Sequence, residues 1–350
     1  MKKVGILTFH YGDNYGAVLQ SYALRRTMNS LPDCMAEIIN YIPDNYLAKN
    51  IEAAYDDKAS YLEKRKKFEK FLDTQCDVKK EMVQHVTGEE YDYLCVGSDQ
   101  VWNPIYFDEE YFFLNASKGK KISYAASLGK PVKDCEFFAD MYKHNLADFS
   151  FLTVRESEHV DFLEETTGKE CTLVLDPTLL LKRMDYEQLM CLEDDESEDY
   201  ILFFWLRDND VFLRGLELVN SIARKYNYKI VHSIMGGKDY MFCRENSCMY
   251  YGGIEEFLRY IKHAKMVVTN SYHAMLFSVQ FHVPFYVLGR KEMRSRIDTV
   301  NLLFDISDRM VEDYKPVDEI HMEMDFERIE NVLERERKRS IEILQKMLEV

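Results

Sequence analysis

The residues best suited to chemistry lie in one stretch of the second half of the chain, MVVTNSYHAML at 266–276. Its apolar start predicts a short strand, Met266–Val268, and the polar residues after it predict a turn and a helix that begins near His273. Parallel α/β sheets bind ligands where such strands end, and the first N–H groups of a helix attract anions. His273 could therefore bond a phosphate or move a proton, while Asn270 and Ser271 could cap the turn.

A cluster of cations near this stretch favours the functional interpretation. Arg290, Lys291, Arg294 and Arg296 fall within seven residues, directly after the next predicted strand, Pro284–Leu288. Because the chain carries a net charge of −16, an anionic ligand would need local cations of this kind. Two simpler explanations stay open at this point: a solvated charged surface, and a histidine that only bonds a nearby carbonyl.

The first half of the chain offers a glycine-bearing loop after its first predicted strand, Lys3–Phe9. The loop contains Asp13, Asn14 and Gly16 and leads into a predicted helix, Ala17–Met28. Glycine lets backbone approach a ligand at a helix start, although a tight turn alone would also explain it. The pattern is not GxGxxG, so the sequence does not predict a dinucleotide site.

Two more loops place polar residues at predicted strand ends. Ser98, Asp99 and Gln100 follow the strand Tyr91–Gly97, and Arg155 follows Phe149–Val154 next to a predicted helix, Glu158–Thr166. A guanidinium suits carboxylate and phosphate because it donates two parallel hydrogen bonds. Pairing of the arginine with a nearby protein carboxylate is the alternative.

Composition excludes several classes of function. A net charge of −16 argues against nucleic-acid binding, which depends on clustered Lys and Arg. The eight cysteines are scattered without a CxxC, so neither a disulfide framework nor a metal site is expected. No segment is long and apolar enough to span a bilayer, and the first residues do not resemble a signal peptide. We therefore expect a cytoplasmic protein.

Strands alternate with helices through both halves, which predicts an α/β fold with parallel sheets. With 350 residues, two domains are expected. We predict an N-terminal α/β domain at 1–182 with a charged insertion at 44–86, a C-terminal α/β domain at 183–324, and a final helix at 325–350 that packs back across the domains. Other predicted elements are the strands Glu37–Ile42, Lys121–Ser127 and Thr172–Leu175 and a helix near 134–147.

Several segments, in this order, resemble the polysaccharide pyruvyl transferase family. They are FHYGDNYGAVLQSYAL (9–24), YDYLCVGSDQVWN (91–103), ISYAASLG (122–129), VRESEHVDFL (154–163), LVLDPTLLL (173–181), VVTNSYHAM (267–275) and SRIDTVNLLF (295–304). The GSDQVWN and SYHA elements are the most specific of them. The resemblance implies two Rossmann-like domains facing a cleft, a GT-B-like fold.

The resemblance also implies a reaction. Members move the enolpyruvyl-derived group of phosphoenolpyruvate onto two sugar hydroxyls, which gives a pyruvate ketal on a polysaccharide or its precursor. Phosphoenolpyruvate is then a substrate, and no cofactor is implied. The saccharide acceptor could be lipid-linked or nucleotide-linked, and peripheral association with the inner membrane face stays open.

On this basis the candidate residues receive roles. His273 and Asp99 are the predicted catalytic residues. The predicted donor-binding residues are Arg155, Arg290, Arg294, Arg296, Asn270 and Ser271. The predicted acceptor-binding residues are Asp13, Asn14, Gly16, Ser98 and Gln100.

Two alternatives remain at this stage. The chain could be a GT-B-type glycosyltransferase that uses a nucleotide sugar, with the helix start at His273 holding the diphosphate. It could instead be a non-catalytic sugar- or anion-binding member of the family. The second alternative is supported by Ser271, because members often carry an arginine two residues before the histidine.

Overall fold

The computed structural model describes residues 1–43, 58–190, 199–206, 211–235, 252–289, 294–312 and 315–349, with only the backbone at 58–61, 234–235 and 294. The chain forms two compact units. Unit 1 comprises Met1–Leu181 and Leu333–Val350, and unit 2 comprises Lys182–Val332. Both are α/β, as the alternation of predicted strands and helices indicated.

Unit 1 is built on a parallel sheet of six strands in the order β2-β1-β3-β4-β5-β6. The strands are β1 (Lys2–Leu7), β2 (Cys34–Ile38), β3 (Tyr93–Val96), β4 (Lys120–Ser123), β5 (Phe149–Val154) and β6 (Cys171–Leu173). Its helices are α1 (Tyr15–Asn29), α2 (Lys58–Phe71), α3 (Val132–Cys135), α4 (Ala139–Asn145) and α5 (Glu158–Thr167).

Unit 2 contains a parallel sheet of four strands in the order β10-β9-β7-β8. The strands are β7 (Tyr200–Leu206), β8 (Lys229–Met235), β9 (Met266–Thr269) and β10 (Phe285–Val287). The helices are α6 (Arg183–Glu187), α7 (Phe212–Tyr226), α8 (Ile254–His263), α9 (Tyr272–Phe281), α10 (Arg294–Phe304) and α11 (Phe326–Met347). Helix α11 belongs to unit 2 as far as Val332 and to unit 1 from Leu333 onward.

The central strands explain why these sheets form. All four residues of β3 (YLCV) and of β9 (MVVT) are buried, and β7 (YILFFWL) is buried except at its last residue. Helices that cover both faces of a parallel sheet require such continuous apolar strands. Because both sheets are parallel, the loops that follow neighbouring strands lie at one edge of each sheet.

Most predicted elements are confirmed, but three differ and one helix was not predicted. Strand β4 ends at Ser123 rather than at 127, because Ala125 adopts a left-handed φ of 54° that cannot continue a strand. Strand β2 spans Cys34–Ile38, so it begins three residues and ends four residues before the predicted Glu37–Ile42. The predicted helix near 134–147 is interrupted at Glu136–Phe138 by a 3₁₀ turn. Helix α10 was not predicted, because its charged residues were interpreted only as a cation cluster.

Part of the sequence-based interpretation falls outside the described residues. Arg290, Lys291, most of the acidic run at 193–199, and the cysteines at 243 and 248 are not among them. Within the described part of the chain, no helix combines the length and apolar character that a bilayer crossing requires.

The charged insertion contributes a helix that packs beside α1. Lys64 on α2 is buried, and its ammonium lies 4.9 Å from the ring centre of Tyr15 and 5.4 Å from that of Phe68. Burial lowers the pKa of Lys64 from 10.5 to about 8, and the nearby Asp13 carboxylate opposes this shift. A desolvated ammonium is therefore part of the contact between α2 and α1.

This burial predicts a stability effect with a defined pH dependence. Since the native pKa lies below the unfolded one, the buried charge destabilises the fold below pH 8, and stability should rise as the pH increases from 8 toward 10.5. Lys64→Met should raise the free energy of unfolding at pH 7 by up to about 3 kcal/mol and should abolish that rise. Urea unfolding across this pH range measures both effects.

The matched control is Lys66→Met, a change at an exposed position of the same helix. It should alter stability little at any pH. Equal effects of the two substitutions would contradict a special cost of burying Lys64.

Candidate functional site

The turn after β9 is fixed to its neighbour strand by Asn270. Its side-chain Oδ1 accepts a hydrogen bond from the Leu206 backbone N–H at 2.7 Å, and its Nδ2 donates to the Leu206 carbonyl at 2.9 Å. Because β7 pairs with β9, these two hydrogen bonds join the ends of two adjacent strands. Asn270 was predicted to cap the turn, but its side chain instead joins the two strand ends.

Ser271 is the N-cap of α9, as predicted from the sequence. Its Oγ accepts a hydrogen bond from the Ala274 N–H at 3.3 Å, and its own N–H donates to the Thr269 Oγ1 at 2.9 Å. All ten residues of α9 are buried, which holds the helix firmly at the sheet edge. The position of the helix start is thus determined by packing along the whole helix.

His273 lies in the first turn of α9 and is 9% exposed. Its ring packs edge-on against Tyr272, with ring centres 5.2 Å apart. A helix start carries partial positive charge and unsatisfied N–H donors, so an imidazole at this point can help hold an anion. The described geometry is compatible with the predicted role of His273, which stays a prediction.

Arg296 occupies the equivalent place after the neighbouring strand. It lies in the first turn of α10 and is buried, with 8% of its surface exposed. A Cβ added to Gly289 would lie 3.1 Å from Ile297 Cδ1, so a glycine here lets α10 pack close to the end of β10. Since β10 pairs with β9, α9 and α10 start at the same sheet edge. Only the backbone of Arg294 is described, so its predicted role stays open together with that of Arg290.

In unit 1, Arg155 lies at the centre of a buried ion network at the ends of β3, β5 and β6. Its Nη1 donates to Asp176 Oδ2 at 2.6 Å and to Ser98 Oγ at 3.0 Å. Its Nη2 donates to Asp99 Oδ1 at 3.3 Å, and its Nε to Glu156 Oε1 at 3.4 Å. The guanidinium side chain is fully buried. Carboxylates of the protein, the alternative considered from sequence, thus surround the arginine, and its binding of a donor anion stays a prediction.

The network continues through Glu156 to a second basic residue. Glu156 Oε1 accepts a hydrogen bond from Ser127 Oγ at 2.6 Å, and Oε2 lies 3.4 Å from His159 Nδ1. Burial alone would raise the pKa of Glu156, but the hydrogen bond to His159 and the charge of Arg155 hold the pKa below its ordinary value. Glu156 is therefore ionised although it is fully buried.

Asp99 differs from the other carboxylates of this network. Its side chain is 8% exposed, whereas those of Asp176 and Glu156 are fully buried. Its backbone has a φ of 73°, a left-handed conformation that Asp tolerates better than most residues. The turn thus places the Asp99 carboxylate at the margin of the network, where a ligand hydroxyl could reach it.

The side chain of Gln100, the residue after Asp99, is held by Asn103 and lies close to the backbone of Gly129. Its side-chain Oε1 accepts a hydrogen bond from Asn103 Nδ2 at 3.0 Å. Gly129 has a φ of +67°, and a Cβ at this position would lie 2.3 Å from the same Oε1. The conformation of residue 129 therefore favours glycine, and a larger residue there would displace the Gln100 side chain.

The loop after β1 forms a separate group at the same sheet edge. Asn14 is the N-cap of α1, and its Oδ1 accepts from the N–H groups of Gly16 at 3.0 Å and Ala17 at 3.3 Å. Asp13 Oδ1 lies 3.3 Å from Nη1 of Arg65 on α2. The predicted acceptor residues Asp13, Asn14 and Gly16 thus lie together, and the insertion supplies a cation that sequence reasoning missed.

Sequence reasoning also missed Asp176, Glu156 and His159, which complete the network around Arg155. A signal was present for Asp176, since the following Pro177 predicts an extended residue at a strand end. The structure gives Asp176 a ψ of 138°, and its Oδ1 accepts from the Thr178 N–H at 3.0 Å. Both other residues lie in the RESEH segment, of which the sequence analysis singled out only Arg155 and the start of a helix.

The network predicts a large cost for removing one of its buried charges. Asp176→Asn should leave Arg155 undercompensated in the interior and lower the free energy of unfolding by about 3–5 kcal/mol. The control is Asp148→Asn, which removes a carboxylate that is 80% exposed and lies 3.6 Å from Lys121 Nζ. That change should cost about 0–1 kcal/mol. Denaturant unfolding of both variants tests the difference, and similar costs would contradict it.

Comparison of the fold with solved structures shows the same architecture in UDP-GlcNAc 2-epimerases. The Methanocaldococcus jannaschii enzyme in complex with UDP-GlcNAc and UDP is 15% identical, with a TM-score of 0.54 over 99% of this chain and 100% of that one. A UDP-N-acetylglucosamine 2-epimerase from Rickettsia bellii is 12% identical, with a TM-score of 0.54 over 100% and 97% of the two chains. These are GT-B-fold proteins, so the GT-B-like fold class is confirmed.

Sequence comparison identifies the family. No curated protein matches this sequence significantly. The sequence model of the family described as polysaccharide pyruvyl transferase matches residues 14–292, which include the described candidate residues from Asn14 to His273. The match covers well over half of the chain and confirms the resemblance found in its motifs. The chain therefore belongs to the polysaccharide pyruvyl transferase family, a family of transferases.

Proposed function

We propose that this protein transfers the enolpyruvyl-derived group of phosphoenolpyruvate onto two hydroxyls of a saccharide, forming a pyruvate ketal and releasing phosphate. The observation that carries the proposal is the placement of His273, the family's histidine, in the first turn of a helix that starts at the sheet edge of unit 2. Family membership supports the reaction type and implies a saccharide acceptor.

The donor would bind at the edge of unit 2 because the charges there suit it. Phosphoenolpyruvate carries a phosphate and a carboxylate, and the start of α9 offers N–H donors and partial positive charge. Arg296 adds a full positive charge in the first turn of α10, which starts at the same edge. Ser271 is engaged as the α9 cap, so it helps by fixing the helix start rather than by supplying charge.

The proposed chemistry balances without any further reactant. The methylene carbon of phosphoenolpyruvate gains a proton, and the oxygen of the first sugar hydroxyl, which loses one, bonds to the neighbouring carbon. The second hydroxyl then bonds to that carbon, and the bond to the phosphate oxygen breaks. The proton of the second hydroxyl ends on the released phosphate. General acid–base groups are needed at both steps, and His273 is assigned to proton transfer or to bonding the phosphate.

The acceptor would be oriented by residues of unit 1. Asp99 is the carboxylate of the Arg155 network that has partial exposure, so a sugar hydroxyl could donate a hydrogen bond to it. Gln100 lies next to it, held by Asn103, and Asp13 and Asn14 lie at the end of β1 at the same sheet edge. We assign Asp99 as the general base. Arg155, which the sequence predicted to bind the donor, is assigned instead to positioning Asp99, because its guanidinium is fully buried and bonds protein acceptors.

The proposal predicts the effect of removing His273. General acid–base catalysis contributes about 10²–10⁴-fold, so His273→Ala should lower phosphate release from phosphoenolpyruvate at least 100-fold while the fold survives. His144→Ala is the matched control, because His144 is exposed and lies on α4. Its rate should equal that of the unchanged protein. A His273→Ala variant with near-normal turnover would remove this residue from the chemistry.

Three measurements with a panel of substrates distinguish the proposed transferase from the two alternatives, a binding protein and a glycosyltransferase. Phosphoenolpyruvate should be offered with lipid-linked and nucleotide-linked saccharides, and phosphate and ketal should appear in equal amounts. A shift in melting temperature with phosphoenolpyruvate, without phosphate release for any acceptor, would instead indicate a non-catalytic binding protein. Binding of a nucleotide sugar as donor, with none of phosphoenolpyruvate, would indicate a glycosyltransferase.

A further inference from the structure

We propose that His159 is held as an imidazolium cation inside the fold and that it positions the candidate base Asp99 through Glu156 and Arg155. The positioning role rests on the proposed function, since it takes Asp99 as the base. The charge state of His159 does not rest on it and can be measured in the absence of any substrate.

The geometry around the ring requires two donors. His159 Nε2 lies 2.8 Å from the Lys130 carbonyl oxygen, which can only accept a hydrogen bond. Nδ1 lies 3.4 Å from Oε2 of Glu156, an ionised carboxylate that also can only accept. A neutral imidazole has one N–H and would leave one of these acceptors facing a lone pair. Both ring nitrogens therefore carry protons.

The groups packed around His159 agree with a positive charge. Glu158 Oε1 lies 3.5 Å from Nε2, so a second carboxylate faces the ring from its own helix. From α3, Cys135 Sγ donates to the same Lys130 carbonyl at 3.7 Å, and burial raises the pKa of this thiol to about 12. From α4, Tyr142 is also neutral, because burial raises the pKa of its hydroxyl well above the ordinary value. Glu156 lies between the ring and a second cation, since its Oε1 accepts from Arg155 Nε while its Oε2 faces His159 Nδ1.

The pKa of His159 supports the same charge state. Burial alone would lower the pKa of this ring, but the hydrogen bond and the charge of Glu156 outweigh burial and raise the pKa above its ordinary value. The direction of this shift agrees with the two protons that the hydrogen-bond geometry requires. The imidazolium would titrate only at a higher pH than an exposed histidine does.

The charge count shows what this cation does for Asp99. The network contains three carboxylates, Asp99, Asp176 and Glu156, and Arg155 as one cation. With His159 charged as well, one negative charge remains, and Asp99 is the carboxylate with partial exposure. Glu156 is then satisfied by His159 and Ser127, so it orients Arg155 through Nε while Nη2 stays directed at Asp99. Without the imidazolium, two uncompensated negative charges would share this buried site.

The first experiment measures the ring itself in the unchanged protein. Imidazole ¹⁵N NMR at pH 7.5, with His159 assigned by the His159→Gln variant or by Glu156→Gln, should show both nitrogens of His159 protonated. The ring of His144, which is exposed, serves as a reference signal in the same spectrum. A single protonated nitrogen on His159 would overturn the proposal, whatever the protein catalyses.

The second experiment tests the positioning role through Asp99. His159→Gln should shift the acid limb of the kcat profile toward higher pH, because the charge that compensates Glu156 is lost. An unchanged acid limb in a folded His159→Gln variant would overturn the positioning role. If the protein releases no phosphate from phosphoenolpyruvate, the proposed function and the positioning role fail together, while the imidazole NMR of the unchanged protein still decides the charge state of His159.

Discussion

The structure of unit 1 depends on one buried guanidinium. Arg155 bonds side chains that follow three different strands, and its 2.6 Å contact with Asp176 is the shortest of them. Burial of a charge is costly unless opposite charges and hydrogen bonds surround it, so this arrangement is tolerated only as a complete network. Its consequence is that the loops after β3, β5 and β6 cannot move independently. Asp99, the base of the proposed reaction, gains a fixed position from this constraint.

In unit 2, the strand ends and the start of α9 are held in place by neutral side chains instead of an ion network. Asn270 joins the end of β9 to the end of β7 through two hydrogen bonds, and Ser271 caps a helix that is buried along its whole length. Helix starts bind anions only when the N–H groups are held in place, and here neutral side chains hold them. The positive charge can then be supplied by residues of the neighbouring helix, such as Arg296, instead of by position 271.

Sequence reasoning found the fold and the strand ends because both depend on local patterns. The apolar runs of β7 and β9 and the polar residues after each strand are visible without coordinates. From the sequence, Arg155, Ser98 and Asp99 were candidates, but Asp176 was not. It is 21 positions from Arg155 along the chain and becomes its neighbour only through the pairing of β5 with β6. Helix α10 was missed for another reason, since its charged first turn hides a helical pattern that begins at Ile297. Contacts of long sequence separation are set by the order of strands, which a single sequence does not show.

The central claim is that the start of α9 holds the anionic donor. A crystal structure of the protein soaked with phosphoenolpyruvate tests it most directly. The account predicts density for the donor at the edge of unit 2, with a phosphate or carboxylate oxygen within hydrogen-bond distance of the His273 ring or of the first N–H groups of α9. Density for phosphoenolpyruvate elsewhere, with the start of α9 empty at saturating concentration, would contradict it.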